Sequence, residues 1–227
     1  TIQTMGPVSV EVVSFGGDVN IIVDESLSNT TIDIKQRIEQ YKDDNDLFLK
    51  HIDWSTNVLK TEFGQIIRID VTSDNNPLKT VFADINIASP NIEDVLIKTQ
   101  KGNINIIGTS GSLDISTSDG DILLATALPM NEEVSIENIR GNIWYRVKEE
   151  SSGNVSLTAI SGSASFNLRC GDGIILPGST REHLNASLNN GQNDVLMRTV
   201  EGDIIMDIVN RPIVDLPAFN INWPLWQ

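Results

Sequence analysis

Carboxylates beside glycines are the first residues whose chemistry calls for an explanation. Asp119 and Asp121 flank Gly120, Glu201 and Asp203 flank Gly202, and Asp172 lies between Gly171 and Gly173. Hard oxygen donors at such spacing suit Ca2+. Paired carboxylates are also what glycoside hydrolysis needs, one as acid and one as base or nucleophile. However, the Gly-Gly-x-Gly-x-Asp repeat of calcium-loaded β-rolls is absent, and Gly16-Gly17-Asp18 is only a fragment of it. Turn chemistry alone accounts for Asp and Asn next to glycine. No cofactor is expected, and Asp119, Asp121 and Asp203 are retained as weak Ca2+ candidates.

Nucleophilic catalysis has little to work with. His51 and His183 are the two histidines, and the chain carries no Gly-x-Ser-x-Gly elbow, no His-Glu-x-x-His pair and no phosphate-binding loop. His183 follows Thr180-Arg181-Glu182 and reads as an exposed corner. Cys170 is the single cysteine, so an intrachain disulfide and a thiolate metal cluster are both excluded. It falls in phase with Phe166 and Leu168, the position of a small core residue. No catalytic residue is assigned, and the expectation is a protein that is not an enzyme.

Aromatic side chains offer a different chemistry. In Ile143-Trp144-Tyr145 the alternation places Trp144 outward if its neighbours point inward, and an exposed indole can stack on a sugar or anchor a protein. The alternative is that a loop or the tail covers it. A second aromatic group sits in the carboxyl-terminal segment 212–227, where Phe219, Trp223 and Trp226 lie among prolines. Such a tail either caps an open end of the fold or docks on the edge of another copy.

The elements that must position these residues are short strands. From the middle of the chain, alternating apolar runs begin at Val95, Ile104, Leu113, Ile122, Val134, Ile143, Val155, Ala164, Ile174, Leu184, Val195 and Ile204, so every second interval is 18 to 21 residues. Runs such as Ile104-Asn105-Ile106 have a period of two, which buries one face. Glycine and a small polar residue punctuate them at Gly102-Asn103, Gly120-Asp121, Gly141-Asn142 and Gly202-Asp203. This predicts an all-β, single-domain β-solenoid of two-strand rungs, about twenty residues each, because stacked rungs bury a core that no one rung could bury alone. The alternative is an antiparallel β-sandwich. The solenoid is expected to span residues 1–211, with regular repeats from about 95 and a polar insertion at about 39–57.

The chain has 227 residues and a formal charge of −15, which disfavours nucleic acid and anionic lipid as partners. Apolar runs are too short for a transmembrane helix, which needs about 18 or more residues. A chain opening at Thr1 is expected to be a processed or trimmed form, from which a signal or anchor could have been lost upstream.

Several segments share an order with a known family. Gly17-Asp18-Val19-Asn20-Ile21, then a variable polar section, then Ile85-Asn86-Ile87-Ala88-Ser89-Pro90, and then units such as Ser116-Thr117-Ser118-Asp119-Gly120-Asp121-Ile122 make the chain resemble the bacterial putative-adhesin domain family of β-solenoids, from about Val8 to about Val209. The resemblance implies display at the cell envelope or outside the cell. It implies a binding or self-assembly surface for a protein, a glycan or further copies of the chain, and it supplies no catalytic residues. Two other readings stand beside it: a polymer-forming envelope or filament subunit, and a carbohydrate-active β-helix enzyme using clustered carboxylates.

Overall fold

The computed structural model describes residues 1–3, 6–39, 52–73 and 80–214. Strands account for the regular structure: β1 (Val8–Ser14), β2 (Val19–Val23), β3 (Thr31–Glu39), β4 (Ile52–Lys60), β5 (Gln65–Ser73), β6 (Thr80–Ser89), β7 (Val95–Thr99), β8 (Ile104–Ile107) and β9 (Leu113–Asp119) come first. They continue with β10 (Ile122–Ala125), β11 (Val134–Arg140), β12 (Ile143–Val147), β13 (Gly153–Ser161), β14 (Ala164–Leu168), β15 (Gly173–Ile175), β16 (His183–Leu188), β17 (Asp194–Glu201) and β18 (Ile204–Ile208).

Two sheets face each other. One has ten strands in the order β15-β16-β13-β17-β11-β9-β7-β1-β5-β4, and the other has eight in the order β14-β18-β12-β10-β8-β2-β6-β3. Each rung contributes one strand to each sheet, and neighbouring rungs pair in parallel throughout. Parallel pairing between rungs is what a solenoid requires, and the antiparallel sandwich is not favoured.

Alternation along each strand builds the core. Register aligns Ile85, Val19, Ile104, Ile122, Ile143, Ile204 and Ala164 in one row across the eight-stranded sheet. The next inward row runs Ile87, Ile21, Ile106, Leu124, Tyr145, Met206 and Phe166, and all of these residues are buried. Branched side chains suit a pleated face, and burying one contributes about 1.5–3 kcal/mol over exposure.

Rungs do not stack in sequence order. The first rung, β1/β2, lies between β5/β6 and β7/β8, and the last, β17/β18, lies between β11/β12 and β13/β14. Both rungs nearest the chain ends are thus paired on two sides, which ties them down against fraying. The stack also extends further toward the amino terminus than the regular spacing from Val95 suggests, since β1/β2 and β5/β6 belong to it.

Antiparallel strands finish the stack. β3 and β4 pair with β6 and β5 at one end, and β16 pairs with β13 at the other, followed by β15. Here the twenty-residue beat fails: Ile174 and Leu184 head an antiparallel pair within one sheet, and Ile174 is 62% exposed instead of inward. In the expected polar insertion, Ile52 to Asn57 form part of β4, and residues 40–51 lie outside the described residues.

Candidate functional site

The glycine corners show what the carboxylates do. Where each rung turns from the ten-stranded to the eight-stranded sheet, a side-chain oxygen accepts the backbone N–H of the equivalent residue one rung on. Asp84 accepts from Asp18 at 2.9 Å, Asp18 from Asn103 at 2.8 Å, and Asn103 from Asp121 at 2.9 Å. The series continues with Asp121 accepting from Asn142 at 2.7 Å, Asn142 from Asp203 at 2.9 Å, and Asp203 from Ser163 at 2.8 Å. Glycine precedes each of these residues except Asp84, which follows Ala83, because the rungs touch there: a Cβ on Gly120 would sit 2.1 Å from the Gly102 carbonyl oxygen, and φ is +148°.

Asp121 and Asp203 are consumed by this ladder, and Asp119 faces Arg140 at 3.3 Å. The Ser163 hydroxyl and N–H, both donating to Asp203, hold its carboxyl below the usual carboxylate range. Among the described residues no three or more His, Cys, Asp or Glu side chains converge as a metal site would need.

His183 opens β16, with its Nδ1 2.8 Å from the Thr158 hydroxyl and its Nε2 3.2 Å from the Asn185 amide. An imidazole beside a hydroxyl forms part of a nucleophilic set, yet this pair lies on the open outer face of the ten-stranded sheet. His51 lies outside the described residues. Cys170 is half-buried against the core, 3.6 Å from the Ile208 carbonyl, and burial together with nearby Glu149 pushes its thiol up. A thiol so shifted is a poor nucleophile.

The eight-stranded sheet carries the more distinctive arrangement. Ile143 and Tyr145 are buried, so Trp144 points outward as the alternation implies, and it is half-buried. Burial also pushes the Tyr145 phenol well above its ordinary value. Two residues beyond Trp144 on the same face is Arg146, which pairs in register with Asp207 of β18, itself opposite Asn167 of β14. The Trp144 indole N–H donates to Asp207 Oδ2 at 2.9 Å, and the Asn167 amide donates to Asp207 Oδ1 at 2.8 Å. Arg146 Nε stands 3.9 Å from the same carboxylate, and the two side chains are only 6% and 4% exposed. A buried ion pair on an outward face means that something covers it. Val209, in the segment leaving β18, is buried and lies beside this pair.

Around this pair opens a pocket of about 460 Å3, lined by Trp144, Arg146, Arg169, Asp207, Asn210 and Arg211 together with Cys170 and Val209. Three arginines and one aspartate thus line the pocket, with Glu149 beside its Cys170, and of the arginines Arg146 is the one placed against Asp207.

The sequence singled out Trp144 and missed Arg146, Arg169, Asp207 and Arg211. A signal existed, since Trp144–Arg146 and Asn167–Arg169 are charged or polar residues at outward phase. What hid the cluster was rung order: with β12 beside β14, Asp207 would be elsewhere. Phe219, Trp223 and Trp226, the other contact candidates, lie outside the described residues.

The family model Toastrack DUF4097 matches residues 10–206. The chain belongs to the Toastrack DUF4097 family. In fold it is similar to a crystal structure of a "putative cell adhesion protein" from Clostridium sporogenes, with a TM-score of 0.60 at 15% identity, covering 89% of this chain and 92% of that one. No curated protein matches it in sequence.

This Toastrack stack also leaves apolar side chains at both edges of its larger sheet. On β4, Trp54 and Leu59 are 50% and 53% exposed, and Ile174 and Ile175 of β15 and Leu176 just after it are similarly open.

Proposed function

We propose that this Toastrack chain is a non-enzymatic, adhesin-like module, displayed at the cell envelope or outside the cell, that binds a partner surface through the groove around Trp144. The observation that carries this reading is the division of labour among polar side chains. Corner acids and amides are committed to holding rungs together. Polar groups from three neighbouring strands meet around an indole at one outward place, where rigid strands preorganise them. The cell-adhesion description of the Clostridium sporogenes neighbour supports the same class of role.

A carbohydrate-active enzyme fits less well. Glycosidases set two carboxylates on opposite sides of the scissile bond, and among the described residues the Trp144 groove offers Asp207 alone. Self-assembly into filaments is the second reading, favoured by the exposed apolar edges on β4 and β15, because an unpaired edge strand is a template for pairing with another copy.

Retention of the purified chain on intact bacterial cells and on immobilised polysaccharide tests the binding reading. Retention without release of reducing ends from the polysaccharide is expected. A chain that passes through all these supports, or one that cleaves them, contradicts the proposal. Particle size in solution, with and without residues 212–227, tests the filament reading, which requires large particles.

A further inference from the structure

We propose that the end of the stack formed by β3 and β4 is an interface between two copies of this chain, joined about a two-fold axis with β4 paired antiparallel to its own copy. The inference goes beyond the Trp144 groove and does not depend on it. It starts from an asymmetry between the two ends of the stack. β3 pairs with β6 and β4 with β5, the two strands of one rung, so both sheets stop at the same level there. At the far end the larger sheet runs two strands further and lies over the end of the shorter one. Leu184, Ala186 and Leu188 of β16 are buried, and a Cβ on Gly173 of β15 would lie 3.4 Å from Phe166 and from Leu168 of β14. One end closes on itself; the other is left open.

The open end exposes core positions. Trp54, Thr56 and Val58 pair in register with Val71, Ile69 and Ile67, all buried, so their side chains share the inward phase. Yet Trp54 is 50% and Val58 37% exposed, since among the described residues no strand follows β4 in its sheet. On β3 the inward Ile32 and Ile34 are only partly buried. Natural edge strands are commonly blunted by lysine, proline, a bulge or short length. β4 runs nine residues, about 30 Å, and from Trp54 to Leu59 it carries neither a charge nor a proline. β15 is the opposite case, three residues long with Pro177 two residues beyond it.

A second copy is the occupant that this geometry fits. A two-fold axis normal to the sheets sets β4 antiparallel to β4 of the partner subunit and brings β3 against its own copy, so both sheets continue across the joint. Residues opposed across the joint must lie on the same face, which restricts the pairing to residues of like phase. With Thr56 on the axis, Trp54 meets the partner's Val58 and Val58 meets the partner's Trp54, the aromatic-with-branched pairing that stabilises sheets. On the outer face Ser55 meets the partner's Asn57, and no two like charges of β4 are opposed. A head-to-tail filament would have to seat the nine residues of β4 on the three of β15. Like edge on like edge is the better match, and it closes the assembly at two. Each copy carries a formal charge of −15, so long-range repulsion opposes the association and salt favours it.

Sedimentation velocity of the full chain at physiological ionic strength, up to about 0.1 mM, should show a concentration-dependent equilibrium of monomer and dimer. Thr56→Lys sets two ammonium groups opposite each other on the axis. Thr56 is exposed in the single chain, so this variant should stay folded while its dimer dissociates at a concentration at least tenfold higher. Ile175→Lys on β15 should leave the dimer unchanged. A chain carrying Thr56→Cys and Cys170→Ser, oxidised in dilute solution, should form a disulfide-linked dimer, because a residue on the axis faces itself. An unaltered chain that stays monomeric, a dimer undiminished by Thr56→Lys, or no disulfide between the introduced cysteines would each overturn the inference. Larger particles that vanish with Ile175→Lys would overturn it in favour of the filament reading. A monomeric chain retained on cells removes the dimer and leaves the binding reading standing, whereas a dimer that is not retained upholds the interface and removes the binding reading.

Discussion

Asp121 accepts the backbone N–H of Asn142 at 2.7 Å, across a rung boundary and 21 residues along the chain. An acidic side chain next to glycine is commonly read as serving its own turn. Here it joins one turn to the next, and that difference converts a row of candidate ligands into a structural ladder.

Glycine at these corners is required by neighbours as much as by φ. Gly120→Ala would place its Cβ 2.1 Å from a backbone oxygen of Gly102, whereas Gly178, at φ +88°, has nothing within 4 Å of the same position. Alanine at Gly178 should cost about 1–2 kcal/mol of backbone strain, and at Gly120 more than about 3 kcal/mol, because a rung must shift. Urea denaturation of the two variants measures the contrast.

Asp203 and Asn142 hold equivalent places, so Asp203→Asn should keep the ladder and Asp203→Ala should lose about 1 kcal/mol. The Ser163 bonds lower the folded carboxyl below its unfolded value. Its contribution is therefore present above the unfolded aspartate value, about 3.9, and is lost as pH falls through the lower folded value. Denaturation midpoints of Asp203→Asn across the acid range should fall less steeply than those of the unaltered chain, and by a modest margin because the group is exposed.

Asp207 is the keystone of the groove. Asp207→Ala takes the carboxylate from beside a guanidinium that is 6% exposed, and losses of about 3 kcal/mol are typical when one partner of a buried pair is removed. Trp144→Phe, which forfeits one hydrogen bond, should cost about 1 kcal/mol. Chemical denaturation that ranked these two in the opposite order would contradict the assignment of roles.

Burial keeps the Tyr145 phenol protonated far into the alkaline range. Its folded value lies above the unfolded one, so the stability it contributes is present below about pH 10 and is lost as pH rises beyond it. With Tyr41, the second of the chain's two tyrosines, replaced by Phe, absorbance at 295 nm should not rise through pH about 10 while the protein is folded, and should rise on unfolding.

Much of the fold was legible because period-two alternation and glycine corners are local. Ile104, Ile122, Ile143 and Ile204 could each be placed inward from neighbouring residues alone. Stacking order could not, since insertion of β17/β18 between β11/β12 and β13/β14 is decided by which rungs fit, and a linear repeat carries no mark of it. Ile174 misled for a related reason: its spacing matched the repeat, while the antiparallel pairing of β15 left it at an edge. Trp144 was found from phase within one strand. Arg146, Asp207 and Asn167 meet only through the rearranged order, so the site's electrostatics were invisible until three strands were set side by side.

The central claim is that an outward groove on a rigid stack does the binding. Its most direct test is retention on intact bacterial cells of the unaltered chain against Trp144→Ala, at a temperature where denaturation curves show both fully folded. The account predicts retention of the first and at least a tenfold drop for the second. Equal retention of both, or none of either, would contradict it.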